Sequence, residues 1–363
     1  MAARLRAVVV GCNVGRNHAE AYVHSPRTEL VALCDLDPAV LDRVADRFDV
    51  EARYADFDTM LCEQRPDLVS IATPQQFHAE MTIHAAATHR PKAILCEKGM
   101  APSLGDARAM LAACDRAGVK LAIGHQGRWF SLVERARDLI AAGAIGTPLY
   151  ARVGTVEGGM LNQSSHAVDR LRFMLNDPDP AWVLANVQRE SDRWERGWPC
   201  EDLVAGLVGF AGGLRLAVEG DIPASGGAGH HTHVIAGAEG VVIVPLDAQH
   251  DTYGLRVLRK GASAWEETPP TGETYQDCRR KEIDALARWA AGEIATHRGD
   301  ARQAIKTHEI LMAMYESART RGLVRLPLQT MASPLVAMIA SGELRVRYPG
   351  RHDIRHTGAL AGA

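Results

Sequence analysis

From Leu5 to about His125 the chain repeats one pattern: a short apolar run followed by an amphipathic stretch of helical length. RAVVVG precedes GRNHAEAYVH, LVALCD precedes PAVLDRVADRF, DLVSIAT precedes QFHAEMTIHAAA, KAILCEK precedes LGDARAMLAACDRAG, and KLAIGH closes the series. Runs of four to seven residues rich in Val, Ile and Ala are too short for buried helices, and they lack the alternation of a half-exposed strand. They fit strands buried on both faces of a parallel sheet, joined by crossover helices. The expected fold is therefore α/β, with a doubly wound parallel sheet over residues 1–123. Beyond Gly146 the texture becomes Gly-rich and alternating, as in LYARVGTVEGG, LVAGLVGFAGGLRLAVEGD and HTHVIAGAEGVVIVPLD. Such hairpin-like runs predict a second α/β domain, residues 124–330, on an open and largely antiparallel sheet. Helical spacing at Ile283, Leu286, Ala287 and Ala290, and from Ala301 to Tyr315, places two helices in that second domain. Residues 331–363 read as a C-terminal extension.

Charge narrows the partners. Among 363 residues, 41 basic and 44 acidic side chains leave a formal net charge of -3, so no overall field recruits nucleic acid or an anionic membrane. The basic stretch RVRYPGRHDIRH near the C-terminus reads as a docking or solvated tail. Seven cysteines form an odd set without a C-x-x-C pair, which points to buried thiols in a reducing compartment. No segment reaches about 18 uninterrupted apolar residues, and the N-terminal MAARLRAVVVGC lacks a secretory pattern. A cytoplasmic protein acting on a small molecule is expected.

The segment VVVGCNVGRNH ends the first strand at Gly11 and starts the first helix near Gly15. Bare backbone amides and the helix dipole at such a turn favour a pyrophosphate, which makes this the dinucleotide position. The loop is one residue shorter than G-x-G-x-x-G, so the glycine that lets the pyrophosphate approach is replaced, with Asn13 the expected substitute because it tolerates positive φ. Gly11, Asn13, Val14 and Gly15 are the candidate cradle. Some twenty residues on, LVALC ends in Asp35, from which a carboxylate can accept both ribose hydroxyls. Leu36 follows instead of Arg, so nothing beside it pairs a 2′-phosphate, and NAD is expected over NADP. A helix cap before Pro38 is better supplied by Asp37.

Three further segments, IATPQQFHAE, LCEKGMA and a later S-S-H-A-V-D, occur in the order and spacing of the glucose-fructose oxidoreductase/inositol dehydrogenase family. With GRNHAEAY, GHQGRWF, GAIGTPLYARV, GAEGVVIV and MYESARTRGLVRLPL, the chain resembles that family to about Leu328. The resemblance implies an N-terminal Rossmann domain, a C-terminal α/β domain that backs the substrate, and a homo-oligomer, dimer or tetramer, through the C-terminal sheet. Three departures stand out. The glycine loop is short; the family's E-K-P is Glu97-Lys98-Gly99, which loses the φ restriction of proline; and D-x-G-x-H-x-x-D begins with Asn162, which keeps hydrogen bonds but carries no proton.

Thr73, Pro74, Glu97 and Lys98 fall at strand ends on the carboxyl edge of the sheet, where open α/β sheets bind ligands. The resemblance adds His78 to the cofactor side and brings Lys98 to the substrate hydroxyl, where a neighbouring positive charge lowers its pKa. If 162–169 is helical, Asn162, His166 and Asp169 share a face. His166, with an ordinary pKa near 6.5, is then the base for oxidation and the acid for reduction, with Asp169 orienting it or capping structure. Gln126, Arg128 and Trp129 follow the sixth strand and are candidates to line a sugar pocket, together with Asn162 and His166. The run His230-His231-Thr232-His233 lacks a carboxylate cluster, so no metal is expected. The expected activity is NAD-dependent hydride transfer at a hydroxyl or ketone carbon of a sugar, glycoside or cyclitol, with Lys98 and His166 handling the proton. Two alternatives stay open: a non-catalytic NAD-binding regulator, and an NAD-dependent glycoside hydrolase working through a transient keto-sugar.

Overall fold

The computed structural model describes residues 4–155, 158–222, 232–245 and 254–354. The chain begins with β1 (Leu5–Val10), α1 (Cys12–His24), β2 (Thr28–Cys34), α2 (Pro38–Phe48), β3 (Arg53–Tyr54), α3 (Phe57–Gln64), β4 (Leu68–Ile71), α4 (His78–His84), β5 (Ala93–Cys96), α5 (Leu104–Ala117) and β6 (Lys120–Ile123). There follow α6 (Ser131–Ala141), β7 (Pro148–Thr155), α7 (Ser165–Met174), β8 (Pro180–Gln188), β9 (Ser191–Glu195), β10 (Trp198–Pro199), β11 (Leu203–Phe210) and β12 (Arg215–Gly220). The last part holds β13 (Thr232–Gly237), β14 (Gly240–Pro245), β15 (Leu255–Arg259), β16 (Glu266–Thr268), α8 (Tyr275–Ala290), α9 (Ala301–Thr320), β17 (Val324–Arg325), α10 (Pro334–Ala340) and β18 (Tyr348–Asp353). No helix among the described residues is long and apolar enough to cross a membrane.

These elements form two compact units: residues up to Gln126 together with Gln276–Ile305, and Gly127–Tyr275 together with the described residues from Lys306. The first unit is a parallel sheet in the order β3-β2-β1-β4-β5-β6. Successive residues of a strand point to opposite faces, and both faces are covered here. Val8, Val10, Val69, Ile71, Ile94 and Cys96 meet Met60, Leu61, Ala107 and Met110 of the helices on one side. Ala7, Val9, Leu33, Leu68 and Leu95 meet Ala19, Val40 and Leu41 on the other. Burial on both sides is why these strands are nearly continuous apolar runs.

Two expectations are corrected here. Residues 276–305, assigned from sequence to the second domain, cluster with the first. The reason is their apolar stripe: Ile283, Leu286, Ala287 and Trp289 complete one face of the parallel sheet's core, and Ala301 and Ala304 the other. The tail is also not a separate extension over its described part, since Leu335 and Met338 are buried and β18 pairs with β9. Of the seven cysteines all are free and six are buried, but Cys62 is exposed.

Beneath the carboxyl ends of β4 and β5 lies a buried polar network. Glu97, just after β5, accepts from Arg279 of α8 and lies 3.0 Å from Nε2 of His18 on α1. The other ring nitrogen of His18 is 3.0 Å from the Ser70 hydroxyl of β4, which also pairs with the Tyr22 hydroxyl at 2.8 Å. Arg279 Nη1 reaches Glu282 at 2.5 Å. Burial opposes ionisation of Glu97, but the Arg279 charge and the His18 hydrogen bond outweigh it and hold its pKa well below the usual carboxylate range. Burial and the Arg279 charge press His18 the other way, from 6.5 to about 4, against the pull of Glu97.

The second unit is built on nine strands in the order β16-β15-β14-β13-β7-β12-β11-β8-β17, all antiparallel pairs except β7 with β12. A separate small sheet has the order β10-β9-β18. Its main buried ion cluster is centred on Arg128, whose guanidinium takes Asp169 at 2.5 and 2.7 Å and Asp177 at 2.8 Å, with its plane 5.4 Å from the Phe173 ring centre. This pins the turn Gln126–Trp129 to α7 and to the residues after it.

Two outcomes are expected. The unfolded chain takes up a proton on His18 below pH 6.5, whereas the native chain does so only near 4, so stability falls as pH drops through that window, by roughly 3 kcal/mol for this group. Denaturant unfolding of His18→Gln across pH 4 to 7 should show a flatter curve; the loss that remains below about pH 4.5 comes from Glu97 together with other carboxylates whose pKa the fold lowers, such as Asp56, Asp58 and Glu316. Arg128→Met leaves Asp169 buried beside an apolar chain and should lower stability by about 3–5 kcal/mol, measured by the same method at pH 7.

Candidate active site

Gly11 is where β1 gives way to α1. Its φ is +86°, and a Cβ there would sit 2.6 Å from the Ala72 carbonyl oxygen, so only glycine permits the first loop to pass this close to the end of β4. Gly15 serves close packing of helix on strand, since its Cβ would meet Val9 at 2.6 Å. The helix starts at Cys12, directly after the strand, and Asn13 is helical. The expectation that Asn13 supplies the positive φ is therefore corrected: with one loop residue missing, the helix is drawn up to the strand and Gly11 alone makes the turn. No side chain caps α1. The Cys12 amide donates to Asp35 Oδ2 at 2.6 Å, and Gly15 N returns to Gly11 O at 3.0 Å, which leaves the Asn13 and Val14 amides at the helix N-terminus for an anion.

Asp35 closes this end. Its Oδ1 accepts from Asp37 N at 2.9 Å, and the cap of α2 is Asp37, which takes Ala39 N and Val40 N. Each Asp35 oxygen keeps a lone pair for a ribose hydroxyl. Leu36 is 82% exposed and offers a 2′-phosphate nothing. An uncapped helix N-terminus at the point where the strand order reverses, with a carboxylate at the end of the neighbouring strand, fits a dinucleotide.

At the other side of β4, Thr73 and Pro74 are half-buried. His78 has no exposed surface, and its ring nitrogens lie 2.8 Å from the Thr73 carbonyl and 2.9 Å from the Gly99 carbonyl. Burial lowers its pKa, so the neutral ring donates to one of the two. Expected at the cofactor, it instead braces the two loops that carry Thr73 and Lys98. Glu97 is corrected in the same sense. Both its oxygens are used inside the protein, one by Arg279 and His18 and the other by the Lys98 amide at 3.1 Å. The Lys98–Gly99 peptide is cis, and Lys98 itself is half-buried at the carboxyl edge of the sheet.

In the second unit the segment before α7 is held by carboxylates. Asp221 accepts the amides of Gly158 and Gly159 at 3.0 and 2.9 Å and pairs with Arg193 at 3.1 Å. Glu201 accepts Met160 N and the Tyr315 hydroxyl, both at 2.5 Å; burial raises its pKa despite these bonds. The turn Met160–Ser164 is π-helical, closed by i→i+5 bonds, and α7 follows at Ser165. The wider turn shifts Asn162 from the simple helical register that the sequence suggested. Asn162 and His166 are 2% and 7% exposed. Asp169 is bonded to Arg128 and to the Thr307 hydroxyl, the latter at 3.1 Å. Arg128 is withdrawn from the substrate set, its fork filled by two carboxylates, and Trp129 is packed in the interior. Gln126 is half-buried.

His233 is buried with Nε2 3.1 Å from the Ala167 carbonyl, so it ties β13 to α7; His230 and His231 lie outside the described residues. Asp58, Cys62 and His89 stand within ligand reach of one another on the surface near α3, where Asp58 already bonds His84 and His89. Sequence reading passed over His18, Tyr22, Ser70, Arg279 and Glu282. The available signal was polar residues interrupting apolar faces, as His18 and Tyr22 do four apart on α1, and Arg279 and Glu282 three apart on α8.

Residues 5–125 match the oxidoreductase family with an NAD-binding Rossmann fold. A D-apiose dehydrogenase of Paraburkholderia graminis is 27% identical over 372 residues, covering 94% of this chain and 95% of its own. An inositol 2-dehydrogenase of Rubrobacter xylanophilus is 28% identical over 67% of this chain and 72% of its own. The structure of a levoglucosan dehydrogenase in complex with NADH and levoglucosan superposes with a TM-score of 0.77 at 21% identity, over 90% of this chain and all of that one, and so shares the fold. Residues 5–125 thus form an NAD-binding Rossmann domain of this oxidoreductase family, and the chain, similar over nearly its whole length to a sugar dehydrogenase, is an NAD-dependent dehydrogenase.

Proposed function

We propose that the chain transfers a hydride between NAD and a hydroxyl or ketone carbon of a sugar, glycoside or cyclitol, with Lys98 and His166 handling the proton. The observation that carries this reading is the placement of Lys98. It is a half-buried amine at the carboxyl edge of the parallel sheet, on a backbone fixed by the buried Glu97 before it and the His78-braced Gly99 after it. The names of the relatives supply the substrate class.

Bound NAD would supply hydride exchange at its nicotinamide, held through the Asn13 and Val14 amides and Asp35, with Thr73 and Pro74 bordering the ring. Lys98 Nζ donates a hydrogen bond to the reacting oxygen. An imidazole nitrogen of His166 takes the hydroxyl proton as a carbinol is oxidised and returns it in reduction. Asn162 contributes hydrogen bonds without a proton of its own. Gln126 is assigned to hydrogen-bonding the remaining sugar hydroxyls.

We also assign the protein to the cytoplasm, in keeping with its seven free thiols, and to a homo-oligomer through the nine-stranded sheet. Leu184 and Leu207 are opposite one another on β8 and β11, and Leu184 and Tyr150 are exposed.

Lys98→Ala and His166→Ala should each cut turnover by on the order of a hundredfold or more, followed at 340 nm with a panel of sugars, glycosides and inositols. NAD affinity should stay within a few fold, and the two losses should combine to less than their sum because one proton transfer is served. Near wild-type turnover in either variant removes that residue from the reaction. Asp35→Ser with Leu36→Arg should raise kcat/KM for NADP relative to NAD; a wild-type enzyme that already prefers NADP contradicts the role of Asp35.

A further inference from the structure

The buried arginines of the described residues are Arg128, Arg170, Arg172, Arg189 and Arg279. Each has a carboxylate within 4 Å except one: Arg128 has Asp169 and Asp177, Arg172 has Asp177, Arg189 has Asp192, and Arg279 has Glu97 and Glu282. Arg170 is 1% exposed and makes one hydrogen bond, from Nη1 to the Tyr275 hydroxyl at 2.7 Å. Its Nε and Nη2 are buried and have no acceptor among the described residues. A hydroxyl accepts a bond but carries no charge, and a buried guanidinium without a counter-ion is strongly disfavoured. No described residue supplies that counter-ion.

The surroundings of Arg170 say where that anion goes. Arg170 stands one helical turn after His166 on α7, so the two side chains leave the helix on the same face. The ring of Tyr275, which holds Arg170 at its hydroxyl, lies beside His166 with centroids 6.2 Å apart, and Phe130 packs edge-on against it at 5.2 Å. Gly127 leaves room for the arginine stem, since a Cβ there would fall 2.8 Å from Arg170 Cδ. The site is thus built: a stem seated on a glycine, a guanidinium anchored at one corner, and two buried N–H groups with no acceptor among the described residues, on the helix face of the histidine assigned to the substrate.

We propose that Arg170 is an anion subsite of the substrate pocket and that the substrate is a sugar or cyclitol derivative carrying a carboxylate or phosphate. The proposal rests on the dehydrogenase reading given above. The planar fork of arginine matches two oxygens of either group. Side chains one turn apart begin about 5–6 Å from each other, which puts the charged group within a few bonds of the carbon that reacts at His166, as in an aldonate, a uronate or a sugar phosphate. Tyr275, accepting from Arg170, keeps its own O–H to donate to a neighbouring substrate oxygen.

The test compares neutral sugars and inositol with their aldonates, uronates and phosphates, using the intact protein with NAD and reading kcat/KM at 340 nm. An acidic derivative should exceed its neutral parent by on the order of a hundredfold or more, and whether that derivative is a carboxylate or a phosphate identifies the group. In Arg170→Gln the acid-to-neutral ratio should collapse towards one, mostly through KM, and Arg170→Lys should restore part of it. Neutral parents outperforming every acidic derivative in the wild-type protein overturns the proposal, a result that does not require any variant to fold. So does an unchanged ratio in Arg170→Gln, or a weaker NADH affinity there with the ratio intact, which reassigns the arginine to the cofactor. If no compound gives NADH, the dehydrogenase reading fails. The subsite is then judged by the melting temperature in NADH: a rise with gluconate, glucuronate or glucose 6-phosphate but not glucose, lost in Arg170→Gln, supports it, and no such rise overturns it.

Discussion

The ion pair between Glu97 and Arg279 is the contact on which the first unit's functional edge depends. Glu97 is the residue before Lys98, and a buried carboxylate at that point is stable only because a buried guanidinium faces it. The arginine comes from α8, about 180 residues further along, so the edge of a sheet formed by the first third of the chain is completed by a helix from the last third. His18 and Ser70 extend the same chain of contacts to α1 and β4, the two elements that flank the dinucleotide position. One network therefore fixes the backbone that carries Lys98 and the helix whose uncapped N-terminus is the candidate cofactor cradle.

The second unit uses charge in the same manner at different places. Asp221 and Glu201 spend their oxygens on the backbone amides that lead into the π turn and α7, and Arg128 gathers Asp169 and Asp177. In both units the acidic groups that sequence spacing places near catalysis turn out to hold the scaffold.

Much of this was legible in the sequence. The parallel sheet follows from apolar runs that must be buried on both faces. Asp37 as the cap of α2 and Asp35 as the strand-end carboxylate follow from position and neighbours alone. What escaped was of two kinds. Long-range partnership is invisible to local pattern: nothing beside Arg279 in the sequence announces Glu97 as its partner, and Arg128 reads as a candidate to line a sugar pocket. Local geometry after a deletion was also misjudged. A loop one residue short was expected to demand positive φ from Asn13, whereas starting α1 at once costs less than straining a non-glycine residue.

The return of Gln276–Ile305 to the first unit has a bearing on how such a chain is assembled and inherited. The dinucleotide-binding body is not a contiguous stretch of polypeptide. While the chain emerges from the ribosome, the six parallel strands are complete long before α8 is made, and until then the face bearing Ala7, Val9 and Leu95 lacks part of its apolar cover and Glu97 its cation. A recombination event that copied only the first 126 codons into another gene would carry the strands without the helix that neutralises them. A contiguous copy that keeps this helix must run through to Ile305 and so takes in most of the second unit as well.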